Sequence, residues 1–115
     1  MKIFADKELK EEIKTIHFGK VEAGKEKTIT VWLYNDSKAI LTNLKVKIIG
    51  KLPKTEKVEI LDAPVTIQPG EASPLVLRWK PSLNFKQALE VTLKITGEEV
   101  YTKTTQVQVE EVKEE

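Results

Sequence analysis

Cysteine is absent from this 115-residue chain, and histidine and arginine occur once each, as His17 and Arg78. Without thiols there is no disulfide framework, no thiolate nucleophile and no cysteine-based zinc site. A lone imidazole leaves any histidine triad or histidine-rich metal centre resting on His17, with carboxylates supplying the other ligands. A surplus of charge is missing too: 19 Lys and Arg stand against 18 Asp and Glu, a net charge of +1. Bulk attraction to DNA, RNA or an anionic bilayer is therefore lacking, and neither nucleic acid nor membrane is an expected partner. No apolar run approaches the roughly 20 residues that cross a bilayer, and "MKIFADKELKEEIK" lacks the apolar stretch of a signal peptide. Synthesis in the cytoplasm without a signal peptide is the expectation.

What the chain does contain is globular. Hydrophobic residues make up 40% and charged residues 32%, enough apolar side chain for one core under a heavily charged surface. The recurring signal is alternation. In "KTITVWLYN" Ile29, Val31 and Leu33 fall on one face, with Trp32 and Tyr34 on the other, and Asn35-Asp36-Ser37 follows as a turn. "NLKVKIIG" sets Leu44, Val46 and Ile48 against Lys45 and Lys47 and closes at Gly50. "KVEIL" at 57–61 and "VTIQPGE" at 65–71 read as shorter strands, the second ended by Pro69-Gly70. "PLVLRWK" places Leu75, Leu77 and Trp79 together. "ALEVTLKITG" places Leu89, Val91, Leu93 and Ile95 together, and "VYTKTTQVQVE" at 100–110 reads as a last strand. About seven short strands with no helical period between them predict an all-β fold: an immunoglobulin-like antiparallel β-sandwich. The expected organisation is an N-terminal arm over 1–12, a sandwich domain over 13–109 and a flexible acidic tail over 110–115. For the arm two readings stay open, a turn of helix capped by Asp6 with Leu9 and Ile13 on one side, or an extended segment laid along a sheet.

Ile16, Phe18, Gly19, Val21 and Gly24, followed by a strand through Val31 and Leu33 to Asn35, resemble the start of immunoglobulin-like domains of the ASPM-SPD-2-Hydin and major sperm protein type. "IQPGEASPLVLRWKPS", with its Pro-Gly turn, Trp79 and Pro81, is similar to the second half of that pattern, so the resemblance spans residues 13–97. It implies a non-catalytic module that binds other proteins. Small single-domain proteins of this appearance also resemble accessory or decoration proteins of phage particles. A virion component, bound to capsid or tail proteins or to itself, is the setting this implies; a cytoplasmic scaffold or adaptor is the alternative. From the residues themselves, Gly19 and Gly24 suit a corner needing positive φ, anchored by Phe18 and Val21. Neither G-x-G-x-x-G nor a P-loop pattern is present to make that corner a phosphate cradle.

Residues with catalytic potential find ordinary explanations. His17 alternates with Ile16 and Phe18 and is expected to point outward. Ser37, Ser73 and Ser82 are assigned to turns, without a nucleophile elbow. The adjacent pairs Glu11-Glu12, Glu98-Glu99 and Glu110-Glu111 cannot face one another across a cleft, because neighbours in a strand point to opposite faces. Lys45, Lys47 and Lys51, beside Lys54 and Lys57, form a basic stripe read as a solvated outer face, with an acidic partner as the alternative reading. No catalytic residue, cofactor or metal ligand is assigned, and the chain is not expected to be an enzyme. The feature to follow is aromatic. Trp32 and Tyr34 are expected on the outer face, where large rings favour protein contact, unless the N-terminal segment folds over them through Ile3 or Phe4. These four residues make up the candidate interaction surface.

Overall fold

The structure is a computed structural model that describes residues 1–50 and 52–101. Eight strands run through these residues: β1 (Lys2–Phe4), β2 (Glu12–Ile13), β3 (Thr15–Gly19), β4 (Lys27–Tyr34), β5 (Ile40–Ile49), β6 (Val58–Asp62), β7 (Ala72–Trp79) and β8 (Leu89–Val100). They form a five-stranded sheet, β2-β1-β4-β7-β6, and a three-stranded sheet, β3-β8-β5, with every neighbouring pair antiparallel. The all-β antiparallel sandwich expected from alternation is the fold observed. None of the described residues is helical, so none forms a helix able to cross a membrane.

Register explains why the greasy faces meet. Val31 lies opposite Leu75 and Ile29 opposite Leu77, so the inner positions of β4 and β7 share one side. Ile16 lies opposite Val91 in the other sheet. Ile16, Phe18, Val31, Leu33, Leu75, Leu77, Trp79, Leu89 and Val91 are buried in one cluster between the layers. Each such side chain contributes about 2 kcal/mol on removal from water. Trp79 sits at one end of this core, edge-on to Phe18 (5.8 Å between centroids) and to Phe85 (5.7 Å). Such T-shaped pairs set the negative face of one ring against the positive edge of the next.

The N-terminal arm is the extended one of the two possibilities. β1 adds to β4, with Ile3 opposite Leu33 and Phe4 opposite Trp32, and β2 folds back on β1. Asp6 does cap a turn, but a hairpin turn and not a helical one: its carboxylate accepts from Lys10 N at 3.0 Å and Glu11 N at 2.9 Å. Hydrogen bonding from Glu11 first, against some desolvation, and from Lys10 next holds the Asp6 carboxyl below its usual range. The chain passes from one sheet to the other at Lys14, between β2 and β3, which closes that side of the sandwich.

Several strand assignments need correction. β5 begins at Ile40, earlier than the expected Asn43, because it continues through a bulge between Thr42 and Lys45 in which Asn43 takes φ 52°. The strand through "ALEVTLKITG" runs on past Gly97 to Val100. A Cβ on Gly97 would lie 2.7 Å from Leu44 Cδ2 and 3.0 Å from Thr42 O, so this glycine admits the bulged neighbour and does not mark a turn. "VTIQPGE" supplies only a bridge, Ile67 with Leu41. Ser73 stands in β7 opposite Leu33, not in a turn. Of the proposed last strand only Val100 and Tyr101 are described; 102–110, the tail 110–115 and Lys51 lie outside the described residues.

Candidate functional site

The outer face of the five-stranded sheet gathers its aromatic residues because register puts them side by side. Phe4 on β1 is the cross-strand partner of Trp32 on β4, and Pro74 on β7 is the partner of Trp32 on the other side. Tyr34 lies two residues on, between Lys2 and Ala72. The Phe4 ring meets Tyr34 edge-on at 6.1 Å and 74°. Lys7, carried by the Asp6-capped turn, holds its ammonium 5.9 Å from the Trp32 centroid, within cation–π range. Phe4, Trp32 and Tyr34 are all half-buried. The two sequence readings are therefore both realised in part: Phe4 leans on the rings, yet all three keep surface in water. Ile3 does not belong with them. It faces Leu33 and packs against the core, as an every-other-residue strand requires.

The outer face of the three-stranded sheet is polar. His17 is exposed, as expected, and its Nδ1 lies 3.0 Å from Glu90 Oε2 on β8. Both side chains are mostly in water, so this pair contributes little. Lys47 stands opposite Lys94, and Lys45 opposite Thr96. Among the described residues the clefts bordering His17 each carry one carboxylate, Glu11 in one and Glu90 in the other. No group of three or more His, Asp or Glu among them is placed to hold a metal ion.

Among the described residues two polar side chains are buried, and sequence reading singled out neither as buried. Asn35 is 0% exposed. Its Nδ2 donates to Ala39 O at 2.8 Å and Ile67 O at 2.9 Å, while its Oδ1 accepts from Ser37 N and Ser37 Oγ. It thereby ties the β4–β5 turn to the segment before β7. Its place before Asp36-Ser37 was a turn signal; the reach to Ile67 was not visible.

Glu56 is 4% exposed and has no cationic partner among the described residues. Its Oε1 accepts from Trp79 Nε1 at 3.2 Å and Ser82 N at 3.1 Å; its Oε2 accepts from Ser82 Oγ and Thr55 Oγ1, both at 2.7 Å. Burial pushes the carboxyl pKa up, and the hydrogen bonds from Ser82, Thr55 and Trp79 together outweigh burial and hold it below the usual range. The residue joins the β5–β6 and β7–β8 connections under the Trp79 ring. In the sequence it is one glutamate between Lys54 and Lys57, with no signal of burial.

No protein-family model matches the chain, and no curated protein or solved structure matches it with significance. The likeness to the Hydin and major sperm protein domains thus stands on its motifs, within a fold that is compatible with it.

Proposed function

We propose that this protein is a non-catalytic interaction module that docks another protein through the outer face of its five-stranded sheet. The observation that supports this is the cluster of Phe4, Trp32 and Tyr34, three part-exposed rings on adjacent strands. Aromatic rings offer large contact area at small entropic cost and are enriched at interface centres. Lys2, Lys7 and Glu12 are exposed around them and supply a polar rim. The buried polar side chains, by contrast, are engaged in holding connections together. Within this class the resemblance in appearance to small accessory or decoration proteins of phage particles favours a virion component, with capsid or tail proteins as partners.

Trp32→Ala combined with Tyr34→Ala is expected to leave the far-ultraviolet circular dichroism spectrum intact and to abolish co-sedimentation with the native large assembly. Attachment equal to that of the parent chain would reject this face. A parent chain that sediments with cellular scaffolds and never with particles would replace the virion setting by the adaptor one.

A further inference from the structure

Four strands bound the two sheets, and three of them have blunted outer edges, the usual protection against unplanned pairing. β2 is two residues long. β6 slips register between Ile60 and Asp62. β3 slips between His17 and Gly19, and its Phe18 carbonyl accepts from Lys27 Nζ at 3.1 Å. β5 is different along its length. Its first part is covered: Leu41 and Ile67 exchange backbone hydrogen bonds, and Leu44 N donates to Val65 O. From Lys45 to Ile49 the ladder to β8 keeps unbroken register, and among the described residues nothing pairs with the opposite edge.

Two more features single out this stretch. Val46 and Ile48 point inward yet are only half-buried, β5 being an edge strand with no described neighbour beside them. On the outer side Lys47 faces Lys94 directly, with Lys45 one pair along. Like charges placed opposite each other in an antiparallel pair are destabilising, and none of these lysines has an ion-pair partner among the described residues. An added strand with apolar residues inward and acidic residues outward would answer both conditions.

The chain carries such a sequence itself. In "TQVQVEEV", residues 105–112, Val107 and Val109 alternate with Gln108 and Glu110, and Glu111 follows. We infer that residues 105–112 of a second copy add antiparallel to the open edge of β5, so that Val107 and Val109 cover Val46 and Ile48 while Glu110 meets the lysines. The same molecule is poorly placed to do this. β8 ends at Val100, opposite Ile40. Pairing antiparallel to β5 must start near Ile49, about nine residues or roughly 30 Å further along. Covering that distance consumes the chain from 102 to about 110 before pairing begins.

The test uses the full chain in sedimentation over a wide concentration range, with amide hydrogen exchange at Val46 and Ile48. Reversible association is expected, weakened by salt, with both amides slowing as association proceeds. Val107→Pro should abolish it, since proline cannot donate to a ladder. Lys45→Glu with Lys47→Glu should weaken it about tenfold, and mixing that variant with Glu110→Lys should restore it. Monomer at every concentration would overturn the inference, as would slow exchange at Val46 and Ile48 that is independent of concentration, which would mark pairing within one molecule. Association that ignores Val107→Pro and the lysine reversals would place the contact elsewhere. If Trp32→Ala/Tyr34→Ala then removes it, the aromatic face is responsible and β5 is not.

Discussion

The two ends of the sandwich each bury one polar side chain, and they do it with opposite chemistry. At the β4–β5 end Asn35 is neutral and offers both donor and acceptor to a turn and a neighbouring segment. At the Trp79 end Glu56 is a carboxylate that only accepts, from donors on Thr55, Trp79 and Ser82. Both solve one problem: loops that cross between layers bring backbone and indole N–H groups into a dry place, where each must find a partner. Asn35 faces backbone carbonyls as well as donors, so an amide with two sides fits. Glu56 faces donors alone, so an anion fits, even without a cation beside it.

The comparison breaks most visibly at the charged end. Glu56→Ala strips partners from the Trp79 indole, the Ser82 amide and two hydroxyls, and should cost about 3 kcal/mol in urea unfolding at neutral pH. Asn35→Ala takes the acceptor from one amide, Ser37 N, while the Ala39 and Ile67 carbonyls keep Ser37 Oγ and Leu41 N as donors, and should cost about 2 kcal/mol by the same measurement. Carbonyls tolerate the loss of a partner better than N–H groups do. A loss at Asn35 exceeding that at Glu56 would invert the ranking.

The smallest effect separates the two chemistries. The folded-state pKa of Glu56 lies below its unfolded value, so the unfolded chain takes up the proton first. The stabilisation is then complete above the ordinary glutamate value of about 4.3 and is lost as pH falls through the folded pKa. Stability curves of the parent chain and Asn35→Ala should therefore descend in parallel below about pH 4. Glu56→Gln should descend less steeply, the remainder coming from carboxyls such as Asp6 and Asp36, which are also held low. Equal slopes in Glu56→Gln and the parent would mean that Glu56 does not titrate with unfolding.

Much of this molecule was legible in its sequence, and the reasons are local. Strand β4, the turn at Asn35-Asp36-Ser37 and the inner positions of β7 and β8 follow from period-two alternation, because adjacent strand residues must face opposite ways. Gly19 and Gly24 do take positive φ, 69° and 84°, as a corner demands. The aromatic face was half legible: alternation turned Trp32 and Tyr34 outward, but nothing local told Phe4 from Ile3. The strand register decided it, setting Phe4 on the outer side beside Trp32 and Ile3 on the inner side beside Leu33.

Glu56 was illegible for a related reason. Its burial depends on Ser82 and Trp79, more than twenty residues away, being carried to it by a second connection. The need for Gly97 was illegible for the same reason, since the groups that require its missing side chain lie across the sheet at Thr42 and Leu44.

The sequence by itself determined the layered all-β fold and which side of most strands is greasy, since both depend on spacing along the chain. Only the tertiary structure decided which strands are neighbours, which edge has no partner among the described residues and which polar groups are enclosed. Those outcomes depend on distances between segments remote in sequence, and no local pattern encodes a distance.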